Sequence, residues 1–421
     1  MKEKIFSSGL VFYAADNNNR FTITMKIGTT DPVDESCLKT AVSMTSQRYH
    51  YLMVKVKKDA FGIWLEKNSL PWVLLRGSES PAIGSQEANY HLIAFTWEDK
   101  CICIHTFHGF LDGIGLNKIA KTLMLYYSEN RYGIKLDSTG INVLGDEISE
   151  EEFKDPFPRK KPDYKLEPMA KVPRLTRPLK ITPKSGKKSD DQYIYRMTIP
   201  KDSLVGVMNE LEVSPAPFLG IMMAKAIQNI HPDSKRNVCI GIPINLRPAL
   251  NADKHLRNLV YDLHVVYDEK IMSMPISSQC TSVRGRVFLQ SDRDSVLSEC
   301  DFQRKVFSFI GHVPFYGVKR FISKRTIKFN MSDETFSSSY TGKATFGEME
   351  KYFDSMEVLC DTCGEDMLIE MFLMRDTFTI TIMQKARDDR YPKEFIRLLE
   401  EFGVTIENYT CEKLIIPRIG F

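Results

Sequence analysis

Seven prolines (Pro156, Pro158, Pro162, Pro168, Pro173, Pro178 and Pro183) fall between Lys154 and Lys188. Proline donates no amide hydrogen and its ring clashes with the preceding helical turn, so neither a regular helix nor a central strand can run through this stretch. The stretch is also rich in Lys and Arg and almost free of apolar periodicity. It reads as an extended crossover linker, dividing the 421 residues into an N-terminal unit 1–153, a linker 154–190 and a C-terminal unit 191–421. Each outer unit is long enough to bury its own core. The linker's basic residues allow two readings: a solvated connection, or cations that approach an anionic phosphate at the mouth of a cleft.

Both outer units mix the two hydrophobic periods, which predicts an α+β chain of mixed sheets and helices. In the first, strands are expected over 8–14, 20–27, 51–56, 61–65, 72–75, 90–97 and 101–107, with helices near 31–48 and after Gly113. The second unit restarts with a strand over 192–199 and helices from Pro200 and from Pro215 through Ile230. Strands follow over 237–244 and 258–267, and a charged helical stretch over 277–313. Two further strands, 367–374 and 377–384, precede a last helix over 391–402. Within the 258–267 strand, His264 is flanked by apolar residues and reads as structural.

The net charge of +3 gives no special attraction to nucleic acid or membrane. No apolar run reaches the ~18–20 residues of a membrane span. Nine scattered cysteines and no secretory signal point to thiols in a reducing cytoplasm. Cys360 and Cys363 form a lone CxxC without a second pair at zinc spacing, and read as ordinary thiols.

The segment richest in chemistry runs from Cys101 to Gly115. Alternation puts Ile102, Ile104, Thr106 and His108 on one side of a strand, and Cys101, Cys103, His105 and Phe107 on the other. His108 thus sits where a strand ends and a helix begins, and imidazole titrates near ~6.5, suiting it to proton transfer at neutral pH. A metal site from His105, His108 and Asp112 is disfavoured, because a spacing of three on a strand sends the two histidines to opposite faces. Gly113 and Gly115 lack the third glycine and the downstream acid of a dinucleotide loop. A satisfied core histidine is the plain alternative.

His108-x-x-x-Asp112-Gly113 resembles the HxxxDG core of acyltransferases with the chloramphenicol acetyltransferase fold. That superfamily includes condensation domains, alcohol and wax-ester acyltransferases and plant BAHD enzymes. Many members carry a second His before the first; here that position is Phe107, as it is non-His in BAHD enzymes. Asn245-Leu-Arg247-Pro248 after an apolar strand is similar to the N-x-R-P segment of the same proteins, and Ser337-Ser-Ser-Tyr340-Thr-Gly342-Lys343 to their S-Y-x-G-K segment. The resemblance implies two acetyltransferase-like subdomains, each a mixed sheet flanked by helices, with an active-site channel between them.

It further implies transfer of an acyl group from acyl-CoA, or from an acyl-carrier thioester, to a small alcohol or amine. No cofactor is permanently bound, no metal is needed and no acyl-enzyme forms, since no G-x-S-x-G elbow is present. His108 would be the general base, and Asp112 would hold the motif loop through Arg247, with Gly109 and Gly113 allowing a tight backbone. Ser339 would help to stabilise the oxyanion. Asn245, Tyr340 and Gly342 are the substrate-binding candidates. Two other readings stay open: a condensing or offloading enzyme acting with an acyl or peptidyl carrier protein, and a catalytically idle binding protein. The joint presence of His108, Asp112, Gly113 and Arg247 argues against the idle form.

Overall fold

The computed structural model describes residues 2–5, 9–157, 165–181, 191–362 and 364–421. Two large sheets dominate it. The first is five-stranded, in the order Phe353–Cys360, Thr22–Thr29, Cys101–Phe107, Ile93–Glu98 and Leu74–Arg76. All its pairings are antiparallel except the last. The second is seven-stranded, in the order Val260–Tyr267, Val238–Asn245, Phe336–Ala344, Met367–Met374, Thr377–Gln384, Gln192–Pro200 and Glu407–Leu414. Phe336–Ala344 runs parallel to both its neighbours, and every other pair is antiparallel. A small third sheet joins Lys2–Lys4, Ile63–Lys67 and Val54–Lys58.

Each large sheet has its own core. Helices Glu35–Arg48 and Gly113–Tyr132 supply Leu38, Ala41, Leu116, Ile119 and Leu123 to the first, packed with Met25, Ile27, Phe95, Ile102 and Ile104. Helix Pro215–Ile230 opens on a proline, which is tolerated there because a first-turn amide has no intrahelical acceptor. It buries Phe218, Leu219, Met222, Met223, Ala226 and Ile227 against the seven-stranded sheet, so the two methionines fill core space. Helix Arg390–Glu401 adds Phe395, Leu398 and Leu399 to the same core.

Most expected elements are present with shifted ends, and three differences are instructive. Residues 8–14 were expected as a strand, but Gly9–Ala14 is a short helix. The helix expected from Asp31 starts at Glu35, because the Val33 amide bonds to the Asp99 carbonyl while Asp34 caps the Cys37 amide at 2.9 Å. The third concerns Phe353–Cys360, a strand from the C-terminal half that forms one edge of the N-terminal sheet, in register with Thr22–Thr29. The chain's end crosses back as well: Ile419 bridges Ile83, and the Phe421 ring packs on Phe12 and Phe107.

Residues 165–181 of the proline-rich segment form neither helix nor strand, as expected, yet they are tied down. The Leu175 amide donates to Asp333 Oδ2 at 3.0 Å and the Ile181 amide to Asp366 Oδ2 at 2.9 Å. Arg174 pairs with Glu299 at 2.5 Å. The rest of the expected linker, 158–164 and 182–190, and Cys363 of the CxxC lie outside the described residues. Among the described residues no helix is long and apolar enough to cross a membrane.

Candidate active site

The strand Cys101–Phe107 ends in a turn at His108, and helix Gly113–Tyr132 begins five residues later. The two faces of the strand separate the histidines. His105 is buried between the hydroxyls of Thr24 and Thr96, each 2.9 Å from a ring nitrogen, and burial pushes its pKa down to about 3. His108 instead stands half-buried on the wall of a cavity of about 330 Å³. Its backbone is held from both sides: its amide donates to the Phe21 carbonyl at 2.6 Å, and Asn258 Nδ2 donates to its carbonyl at 2.9 Å. The same Asn258 nitrogen lies 3.5 Å from Nδ1, too long to commit the ring to one tautomer.

Behind the histidine lies a buried ion pair. Asp112 is 0 % exposed and Arg247 1 %. Arg247 Nη1 and Nη2 donate to Asp112 Oδ2 and Oδ1 at 2.9 and 3.0 Å, a two-pronged contact of the kind a planar guanidinium favours. The remaining donors are spent on the His255 and Arg257 carbonyls, at 2.9 and 3.0 Å, and on Asn245 Oδ1 at 3.2 Å. Asp112 also caps the motif helix by accepting from the Gly115 amide at 2.8 Å, and it accepts from the Leu259 amide at 2.8 Å. One carboxylate thus joins the motif turn, the motif helix and two segments of the other half. The expected Asp112–Arg247 contact is present.

Gly115 was weighed in the sequence only as part of a dinucleotide loop, yet among the described glycines it has the least room. A Cβ there would lie 1.9 Å from the Leu256 carbonyl oxygen, so only glycine lets the helix start dock on that backbone. Gly113 and Gly109 would meet side chains only, Thr341 and Phe107 at 2.9 and 2.5 Å. Phe107 is fully buried and packs edge-on against Phe12 and Phe421 at centroid distances of 4.8 and 5.1 Å. Its position belongs to the core and faces away from the cavity.

The cavity lies between the two sheets. His108, Gly109 and Phe21 line it from one side, and Asn258, Asp262 and His264 from the other. Arg174 brings the proline-rich segment to its wall, and Ser337, Leu368 and Glu370 come from adjacent strands of the large sheet. The other expected residues sit elsewhere. Ser339 is two positions beyond Ser337 on the same face, beside Glu370, and does not line the cavity. Tyr340 points to the opposite face and packs near Phe378. Gly342 occupies a positive-φ irregularity of the strand, at φ 109°. Asn245 serves Arg247, accepting from its amide at 3.0 Å as well as from Nη1. His264, expected to be structural, faces the cavity and pairs with Glu334 at 2.7 Å.

No family model matches the sequence, and no curated protein is detectably similar to it. Solved structures are similar over nearly the whole chain. TRI101 of F. sporotrichioides, complexed with coenzyme A and T-2, matches 97% of this chain and 99% of its own, with a TM-score of 0.61 and 11% identity. A variant of the starter condensation domain of rhizomide synthetase RzmA, in complex with C8-CoA, matches 100% of this chain and 97% of its own, with a TM-score of 0.60 and 11% identity. The epimerization domain of the third module of tyrocidine synthetase B covers 95% and 98%, with a TM-score of 0.56 and 11% identity. The chain therefore has the two-lobed chloramphenicol acetyltransferase-like fold, with its HxxxDG segment at the junction of the lobes.

Proposed function

We propose that this protein is an acyltransferase that moves an acyl group from a thioester, acyl-CoA in the first instance, to an amine or hydroxyl acceptor. The observation that carries the reading is the placement of His108: it stands on the cavity wall, directly before a helix start fixed by the buried Asp112–Arg247 pair. The similarity in fold to structures solved with coenzyme A or C8-CoA supports the choice of donor.

In this reading the acceptor's N–H or O–H faces His108. The ring takes the proton as the acceptor attacks the thioester carbon, the tetrahedral intermediate collapses, and the C–S bond breaks. The proton returns to the departing thiolate. A base of this kind contributes roughly 10²–10⁴-fold to the rate. Asp112 and Arg247 are positioning residues: they fix the turn and do not touch the proton.

An acyl-enzyme on the cavity's own thiol is disfavoured by chemistry. Cys360 lines the cavity, but burial, together with the acidic groups around it, pushes its thiol well above the usual range. Ser337 donates its hydroxyl to Glu334 at 2.9 Å, and among the described residues no imidazole is hydrogen-bonded to it. Direct transfer through His108 needs neither. We assign no oxyanion role to Ser339, which stands outside the cavity.

The test is free-thiol release from a panel of acyl-CoAs with pooled alcohols and amines, for wild type and His108→Ala. Acceptor-dependent release that falls at least about 100-fold in the variant, with the fold intact, is expected. Near-wild-type release from His108→Ala would refute the assignment.

A further inference from the structure

The half of the cavity opposite His108 is acidic. Asp262 projects from the same strand face as His264, Glu334 and Ser337 stand just before and at the start of strand Phe336–Ala344, and Glu365 and Glu370 flank Leu368. Some of these groups have partners. Glu334 accepts from His264 at 2.7 Å and from Ser337, and Glu370 accepts from Thr341 at 2.8 Å. Asp361, nearer the motif strand, is held by the Arg20 amide and by Gln192. Arg174, which also lines the wall, is already paired with Glu299.

Two carboxyls are less fully served. Glu365 is 8 % exposed, with the Ser337 hydroxyl and the Lys385 charge near it, but its Oε2 has no hydrogen-bond partner among the described residues. Asp262 faces the charges of Glu334, Glu370 and the already engaged His264. A buried carboxyl without a donor is costly, and it is retained where something else supplies the donor. Burial and mutual repulsion push Asp262 up to about 7 and Glu365 well above the usual carboxylate range, so in the empty cavity these groups tend to hold protons. No set of three ligating side chains among the described residues converges as a metal site would require. An ammonium group, which brings three donors and a charge, suits a pair of carboxyls.

We propose that the acceptor is a cationic amine of the diamine or polyamine class, with one ammonium held by Asp262 and Glu365 while a second, neutral amine faces His108. This inference rests on the acyltransferase reading. The spacing supports it: Asp262 stands four positions along the chain from Asn258, which touches His108, a path of roughly 13 Å at the rise of a strand. A compact alcohol cannot span it, whereas a chain of several methylenes can. The wall between offers Leu10, Val11, Phe21, Ile327 and Leu368 to such a chain. In the transfer the neutral amine loses its proton to His108 and forms the bond to the acyl carbon. The C–S bond breaks, and His108 returns the proton to the thiolate, leaving an amide, a thiol and the distal ammonium unchanged.

Binding is measured by calorimetry without any acyl donor, using spermidine, diaminooctane, ethylenediamine and octanediol. Wild type is expected to bind the two long amines, with ethylenediamine and octanediol at least about tenfold weaker, since each lacks one of the two anchoring features. Apparent enthalpies in phosphate and in Tris should differ in the sense of proton release, as the incoming ammonium displaces carboxyl protons. Asp262→Asn and Glu365→Gln should each weaken spermidine at least about tenfold while leaving octanoyl-CoA affinity unchanged. Octanediol bound as tightly as diaminooctane by wild type would overturn the inference, a comparison that needs no variant. Long amines bound equally by wild type and by both folded variants would overturn it too. Amine binding without thiol release from any acyl-CoA would leave the amine site standing and sink acyl-CoA as the donor instead.

Discussion

Replacing Asp112 with alanine would test the central lock of the site. Arg247 would remain buried with its charge unmatched, which costs about 3–5 kcal/mol when one member of a buried pair is removed. The motif helix would lose its N-cap, about 1 kcal/mol, and the Leu259 amide would lose its acceptor, about 1–3 kcal/mol. These losses overlap, since all concern one carboxylate, and a working figure is about 4 kcal/mol against a total stability of ~5–15 kcal/mol. Urea unfolding followed by tryptophan fluorescence is well suited, because Trp64, Trp72 and Trp97 all lie in the N-terminal half. The contrast with His108→Ala carries the logic: that half-buried side chain should change stability by no more than ~0.5 kcal/mol while abolishing turnover. Arg247→Met in the Asp112→Ala background should recover about 2–3 kcal/mol of the loss, because the orphaned charge disappears. A loss below ~1 kcal/mol for Asp112→Ala, or strict additivity in the double variant, would refute the reasoning.

Three further outcomes are expected. Gly115→Ala should unfold the motif helix start and cost more than ~3 kcal/mol, because its Cβ meets a carbonyl oxygen, whereas Gly206→Ala, in a helix with open space around it, should stabilise by ~0.5–1 kcal/mol; equal melting shifts for the two would contradict the packing. Phe107→His, which would place a second histidine directly before His108, should lower stability by ~2–3 kcal/mol and raise no activity, since the position is sealed between Phe12 and Phe421; a gain in thiol release would show that it faces the cavity. His105 has a folded pKa of about 3 against ~6.5 unfolded, so between those values the unfolded chain binds the extra proton and stability falls as pH drops. Going from pH 7 to 5 should cost wild type ~2 kcal/mol more than His105→Gln, and parallel pH profiles would show that the buried ring carries charge.

What the sequence made legible was local. Cys101–Phe107 and the helix from Gly113 are each written in a contiguous hydrophobic pattern, and the structure places both as expected. Asp112 and Arg247, far apart in the chain, were joined through resemblance to known motifs, and no periodicity alone would pair them. Phe353–Cys360 escaped notice because Asp354, Ser355 and Glu357 interrupt its apolar alternation, being on a sheet edge or paired with Arg196. Gly9–Ala14 is apolar on every side, which suits a strand and a short buried helix equally. The acidic wall was readable in principle: Asp262 and His264 stand two apart in an otherwise apolar strand, and that period places both on one face. His264 was read alone, so the pair was missed. Ser339 was chosen from a motif match two residues out of step with the cavity, where Ser337 stands.

The strand Phe353–Cys360 also imposes an order on biosynthesis. The motif strand leaves the ribosome early, but its sheet lacks an edge until residue 360 has been made. At about 5–20 residues per second that interval is on the order of 10–50 s. Throughout it, Thr22–Thr29 presents unpaired backbone groups to whatever strand arrives first. The N-terminal half is thus a dependent partner of the last quarter of the chain. A premature stop before Phe353 would release a polypeptide carrying the whole HxxxDG segment, with an open sheet edge and a tendency to aggregate.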